Sequence, residues 1–439
     1  MTASLRVRLK LQRASPYAAC MLATINAQRA PRYMVLAATL SVVGAACAPA
    51  MPRPTEPPTV SWPIADSRAQ APLPTFDHEL LLEATAETSA NASIGDVNGD
   101  GKPDIMLAKG RHWPLVDRVL LGDGKGGFAP ATDLGTASDR SYAARLVDLD
   151  RDGDLDVVLS NDRPDPSLVY LNDGKGHFTI GSTFGKAEWP TRNASVADVN
   201  GDGLPDIIVA NRYGNNPGGN YVCLNRGAGR FDDQCLRFSQ ESATTITPAD
   251  VNQDGLVDLI VPHRDGGQSM VYMQQPRAGS EPTFKGVPFG PADAAIRASE
   301  SGDFNGDGLL DLVAIDEANG LSLYARTRAG GFAAGVSLGR GATAPYAMAV
   351  GDMNADGLTD IVVGYVQAPS VVYFNQRSSG TFVPVSFGDG KGTVYGFAIG
   401  DVDIDGQMDI AAGRSEAPNV LYFGNKGASA SPPGSAPRR

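Results

Sequence analysis

The chain has 439 residues, with 51 glycines, 31 prolines and only 7% aromatic residues, the make-up of a turn-rich all-β protein rather than a helical one. Its formal net charge is −12, yet residues 1–47 hold six basic residues and no acidic one, so the remainder stands at −18. A body this acidic excludes nucleic acid as a partner, because phosphates would be repelled.

The first element in chain order is an address. Arg29 and Arg32 precede an apolar run from Met34 to Ala46, and small residues come after it, which is the layout of a secretory signal. The run is too short for a comfortable transmembrane helix. Residues 1–30 add nothing a signal needs, so initiation at Met21 or Met34 stays open. Gly44-Ala45-Ala46-Cys47 resembles a bacterial lipobox, with Gly where Leu is preferred. Cys47 is therefore a lipidation candidate, and plain cleavage after Ala48 or Ala50 is the alternative. Residues 48–73 are rich in Pro, Ala and Ser and read as an extended tether. The expectation is an exported protein, either secreted or held at a bacterial outer-membrane or cell surface. Membrane contact would come only through that anchor.

Internal repetition dominates the chain beyond the tether. Asp-x-Asn/Asp-x-Asp-Gly-x-x-Asp begins at Asp96, Asp148, Asp198, Asp250, Asp303, Asp352 and Asp401, in steps of 49 to 53 residues. A period near 50 is the mark of a propeller or solenoid. An apolar segment precedes each motif, a β-branched run succeeds it, and a third strand leads into a glycine turn. After the turn stands a phenylalanine in six copies: Phe128, Phe178, Phe231, Phe284, Phe332 and Phe382. That makes four short strands per repeat, the second apolar on both faces, as face-to-face blade packing requires.

The seventh repeat ends after three strands, whereas residues 75–81 form an orphan strand ahead of the first repeat. Thr75-Phe76 aligns with Thr381-Phe382. The reading is an all-β, seven-bladed β-propeller over residues 74–427, closed by an N-terminal strand that completes the last blade and removes the open edge. Residues 428–439 read as a disordered tail.

Each motif has the donor set of a hard cation. Position 1 is Asp96, Asp148, Asp198, Asp250, Asp303, Asp352 or Asp401. Position 3 is Asn98, Asp150, Asn200, Asn252, Asn305, Asn354 or Asp403. Position 5 is Asp100, Asp152, Asp202, Asp254, Asp307, Asp356 or Asp405. A glycine at position 6 allows a sharp bend. The backbone carbonyl at position 7 comes from Lys102, Asp154, Leu204, Leu256, Leu309, Leu358 or Gln407. Asp104, Asp156, Asp206, Asp258, Asp311, Asp360 or Asp409 stands at position 9 and closes the shell. Oxygen ligands, several of them charged, suit Ca²⁺. The apolar position 12 and the strand after it exclude an EF-hand. The seven motifs hold 24 of the 49 acidic residues, and seven Ca²⁺ would bring −18 to −4. The expected cofactor is structural calcium, up to seven ions.

These motifs resemble the FG-GAP/VCBS repeat family, best known from the integrin α-subunit head propeller. Asp198-Val-Asn-Gly-Asp-Gly-Leu-Pro-Asp206 matches that family's calcium loop at every liganding position, and the resemblance spans about residues 74–427. It implies the propeller and the metal, whereas relatives range from adhesion heads and lectins to assembly factors and non-catalytic parts of enzymes. In such propellers the face opposite the calcium turns is built from the loops after each second strand and those leading into each first strand.

The loops after the second strands carry Arg111, Arg163, Arg212, Arg264 and Arg414, with His112, Trp113, Tyr213 and His263 nearby. Six residues before a motif stand Tyr142, Arg192, Arg297, Tyr346 and Tyr395. On an acidic protein, such a cluster suits an anionic protein loop or a sugar. The plainer reading is charge balance on solvated loops.

No catalytic residue is nominated. The four histidines sit at unrelated repeat positions, no Gly-x-Ser-x-Gly elbow occurs, and Gly122–Gly127 is a hairpin turn without strand-to-helix context. A binding or adhesion module for protein or glycan is thus expected, with a carbohydrate-active lyase or hydrolase and a scaffold or assembly factor as alternatives. Cys223 and Cys235 flank a hairpin about one pair out of register, so a disulfide and two free thiols are both open.

Overall fold

The computed structural model describes residues 72–425, apart from 215, 217, 277–280, 340, 342 and 377–380. The targeting segment, Cys47, nearly all of the tether and the tail at 428–439 lie outside the described residues.

Among the described residues there are seven four-stranded antiparallel sheets and no helix. Blades 1 to 6 begin at Ser89, Ser141, Thr191, Thr247, Ile296 and Pro345, and each meanders outward in chain order. Blade 7 takes three strands from the C-terminal end (Thr393–Gly400, Asp409–Ser415 and Val420–Asn425) and its fourth from Thr75–Leu81. His78 pairs with Phe423 and Leu81 with Val420, so the ring closes as the orphan strand implied. First strands neighbour one another around the whole circuit, blade 7 against blade 1 included.

The core is divided among the blade interfaces. Each of seven apolar clusters draws on two adjacent blades; Met106 and Val119 of blade 1, for example, meet Val157 and Tyr170 of blade 2. This is why second strands such as Asp206–Asn211 and Asp360–Tyr365 are buried along their full length: neighbours cover both faces. The six phenylalanines after the glycine turns each pack toward the preceding blade. Phe76 of the closing strand fills the equivalent place between blades 6 and 7.

Cys223 and Cys235 form a disulfide. Val222 faces Leu236, so the cysteines occupy the next pair along and are directly opposed, not one pair out. The register shift between Asn220 and Tyr221 moves this ladder by one residue, which period-two counting does not see.

Candidate functional site

Every acidic turn comes directly after the inner strand of its blade and folds around its first aspartate. Asp96 accepts N–H groups from Gly99, Asp100 and Gly101, and Asp303 from Gly306, Asp307 and Gly308. The glycine at position 6 has φ between 79° and 98° in all seven turns. Position 4 is left-handed as well, although four turns place Arg151, Gln253, Ala355 or Ile404 there, a strain the turn imposes on residues that disfavour it. Position 2 is buried in every turn (Val97, Leu149, Val199, Val251, Phe304, Met353, Val402) and belongs to an interblade cluster. Each turn is thus anchored in the core.

The side chains at positions 1, 3 and 5 fit a cation. Carboxylate oxygens of Asp148, Asp150 and Asp152 lie within 4.8 Å of one another, as do those of Asp401, Asp403 and Asp405. Such crowding of like charges is unfavourable without a counter-ion. In the first turn Lys102 donates to Asp100 at 3.0 Å and supplies part of the balance.

The ninth aspartate, expected to close a metal shell, has a structural role that its spacing did not reveal. It is buried in all seven turns, and in six of them its two oxygens accept backbone N–H groups from the turn and from beyond the third strand or its end. Asp311 accepts from Arg326 through one oxygen, and its other oxygen is buried without a hydrogen-bond partner. For Asp360 these donors are Met353 at 2.9 Å and Asn375 at 2.7 Å. Burial pushes its carboxyl up to about 7 against those hydrogen bonds. Asp360→Ala would leave two buried N–H groups unpaired, and we expect a loss of about 2–5 kcal/mol in urea unfolding. Asp360→Asn, which keeps one acceptor, should lose less.

At the opposite end of the inner strands, a cavity of about 410 Å³ is lined by residues from all seven blades and so lies on the ring axis. The positions six before each motif all border it: Ala90, Tyr142, Arg192, Thr244, Arg297, Tyr346 and Tyr395. Arg111, His112, Arg212 and Arg264 join them from the loops after second strands. Trp113, Arg163, Tyr213, His263 and Arg414 are not in this lining. Trp113 is 70% exposed, while Arg414 is buried against Asp389 and the carbonyl of Pro418.

These side chains form a chain of contacts that crosses every blade boundary. The Arg297 guanidinium lies 3.2 Å from the Tyr346 ring centre, and Tyr346 meets Tyr395 edge-on at 4.7 Å. Arg111 sits 3.5 Å over Tyr395 and 5.5 Å from Tyr142, and Arg192 sits 4.5 Å over Tyr142. Arg192 pairs with Asp162 at 2.6 Å, Arg212 with Asp265 at 2.6 Å and Arg264 with Glu317 at 2.7 Å. Burial lowers His112, and the charges of Arg111 and Arg192 lower it further. Burial alone would raise Tyr346, but Arg297, Tyr395, Arg264 and Arg111 together take it below its ordinary value. The mouth is electropositive on an acidic protein.

A model of the FG-GAP-like repeat matches residues 96–159, 148–209, 198–261, 303–363 and 352–412, together more than half of the chain. The chain belongs to the FG-GAP repeat family. No curated protein sequence matches this FG-GAP propeller. Among solved structures it is similar to BBS1N in complex with ARL6DN. The mercury-soaked crystal aligns at TM-score 0.51 and 13% identity, over 81% of this chain and 98% of that one. The lead-soaked crystal aligns at TM-score 0.53 and 12% identity, over 80% and 98%. Likeness at this identity concerns the fold.

Deeper in the FG-GAP ring lie two residues that the sequence pattern did not single out. Arg145 of blade 2 and Glu300 of blade 5 line both the mouth and a second cavity of about 580 Å³ that extends toward the acidic turns. Both stand three residues before a motif, where a charge inside a first strand was the available signal. Arg145 donates to the Ala194 carbonyl and to Asn193, and Thr247 donates to Glu300. Burial pushes the Glu300 carboxyl up to about 7 from its ordinary 4.5, with Arg145 opposing the shift. The folded chain thus holds this proton more tightly than the unfolded chain. The stability involved is full below about 4.5, is lost as pH rises through about 7, and is flat above. Glu300→Gln should therefore gain on the wild type as pH rises from 5 to 8, read as the difference in urea midpoints.

Proposed function

We propose that this protein is an exported, calcium-stabilised propeller that works as a binding module for a protein or glycan ligand, engaged at the axial mouth. The observation that carries this reading is the assembly of guanidinium and tyrosine groups from all seven blades around one cavity, at the end of the ring away from the acidic turns. A concave site with convergent polar groups is the usual form of a binding pocket. The donor sets of the turns support calcium at positions 1, 3 and 5, where the ion would neutralise the crowded carboxylates and hold each turn to its interblade anchor. The Cys223–Cys235 disulfide suits an oxidising compartment, in line with the signal-like start of the chain.

The test is a screen of glycans and exported proteins against the full chain in millimolar calcium. A ligand of the mouth should bind the wild type and the Arg118→Gln control, and should be lost in Arg192→Gln with Tyr142→Phe. A screen whose hits all survive that double variant would show that the mouth is not the ligand face.

A further inference from the structure

We propose that the axial mouth is a carboxylate-binding site in which Arg111 is the seating residue, a reading that rests on the mouth being the ligand face and narrows its chemistry. The charge balance comes first. Six arginines line the mouth: Arg145 at its deeper end, and Arg111, Arg192, Arg212, Arg264 and Arg297 nearer the rim. The carboxylates that pair with them are Asp162, Asp265 and Glu317, the last shared by Arg264 and Arg297. Two positive charges remain uncompensated at this level, and the deeper Arg145 and Glu300 cancel in formal charge.

The excess centres on Arg111. Among the described residues it forms no ion pair, and its Nε is buried without a hydrogen-bond partner. An unused buried donor on a charged group is costly, so it marks a place where an acceptor is missing. The hydroxyl of Thr245, also in the lining, is orphaned in the same way. Arg111 further holds φ at 51°, a left-handed conformation that costs energy for a residue with a Cβ and that the surrounding loop maintains.

The tyrosines narrow the ligand class. The rings of Tyr142, Tyr346 and Tyr395 each carry a guanidinium within 3.2–4.5 Å. Faces so covered are closed to the stacking that neutral sugars use. Of these three guanidiniums, Arg192 and Arg297 already meet Asp162 and Glu317, whereas Arg111 has no ion pair among the described residues and is the one left to offer N–H groups to a planar, two-oxygen acceptor, which is the geometry of a carboxylate. The cavity of about 410 Å³ is large enough for a small dicarboxylate or for one or two acidic side chains of a peptide.

Calorimetric titration of the full chain in calcium, with succinate, with a Glu-rich peptide, with inorganic phosphate and with a neutral oligosaccharide, decides the matter. Binding of succinate or of the peptide, weakened at least tenfold in Arg111→Gln at an unchanged unfolding midpoint, is the expected result. Succinate binding identifies a small acid, and binding of the peptide alone identifies an acidic protein segment. Carboxylate binding that Arg111→Gln and Arg192→Gln leave unchanged would overturn the proposal, as would binding of phosphate without either carboxylate. If only the neutral oligosaccharide binds, the carboxylate assignment falls while the mouth remains the ligand face. If nothing binds and the arginine variants only lower the unfolding midpoint, the ring is a clasp between blades, and both readings fall.

Discussion

Deletion of residues 72–83 should abolish the folded monomer, because that segment supplies one quarter of blade 7 and the lock of the ring. The strand Thr75–Leu81 pairs with Val420–Asn425, and without it that strand becomes an open edge. Phe76 leaves the cluster between blades 6 and 7, and Leu82 leaves the one between blades 7 and 1. Glu83, which pairs with the buried Lys109, is lost as well. The single change Phe76→Ala should cost about 3–5 kcal/mol, since no neighbour can fill the space of a buried ring. A synthetic peptide covering residues 72–83, added during refolding, should restore part of the folded population by completing the sheet. A deletion variant with the wild-type unfolding midpoint would show that the ring does not depend on this closure.

On the proposed calcium-stabilised reading, removal of calcium should be the second large effect. If each turn takes calcium with an affinity of about 10⁻⁴ M, as proposed, millimolar calcium would contribute about 1.4 kcal/mol at each site. Seven such terms approach about 10 kcal/mol, comparable to the stability of a whole domain. For a ring of this size that corresponds to a fall of about 10–15 °C in Tm on adding excess chelator. The loss should spread beyond the turns, because position 2 of each turn is buried in an interblade cluster. Equal unfolding midpoints in calcium and in chelator would remove the stabilising role.

Much of this architecture is legible in the chain because the repeat is regular. Seven motifs at nearly constant spacing define the blades, and the Thr75-Phe76 match to Thr381-Phe382 already indicates how the ring closes. The mouth is only partly legible. Positions six before the motif stand at the start of inner strands, so repeat counting places Tyr142, Arg192, Arg297, Tyr346 and Tyr395 on one rim. The loops after second strands vary in length and path, and counting cannot separate Arg111 and Arg212, which reach the axis, from Arg163 and Arg414, which do not line it. Arg145 and Glu300 escape notice because they sit within strands expected to be apolar. The backbone bonds of the ninth aspartate are hidden because the spacing that suggests a metal ligand is equally the spacing of a backbone pin. The Cys223–Cys235 pairing depends on a local register shift that leaves no mark in composition.

Whether the acidic turns hold calcium is best settled by a count of bound metal in native mass spectrometry, on full-length protein equilibrated with millimolar calcium and then with chelator. Up to seven calcium ions per chain are expected in the first state and none in the second. Asp303→Ala should lower the count by one while the fold is retained. A folded chain that carries no calcium in the first state would contradict the calcium-stabilised propeller, and the seven acidic turns would then be turns alone.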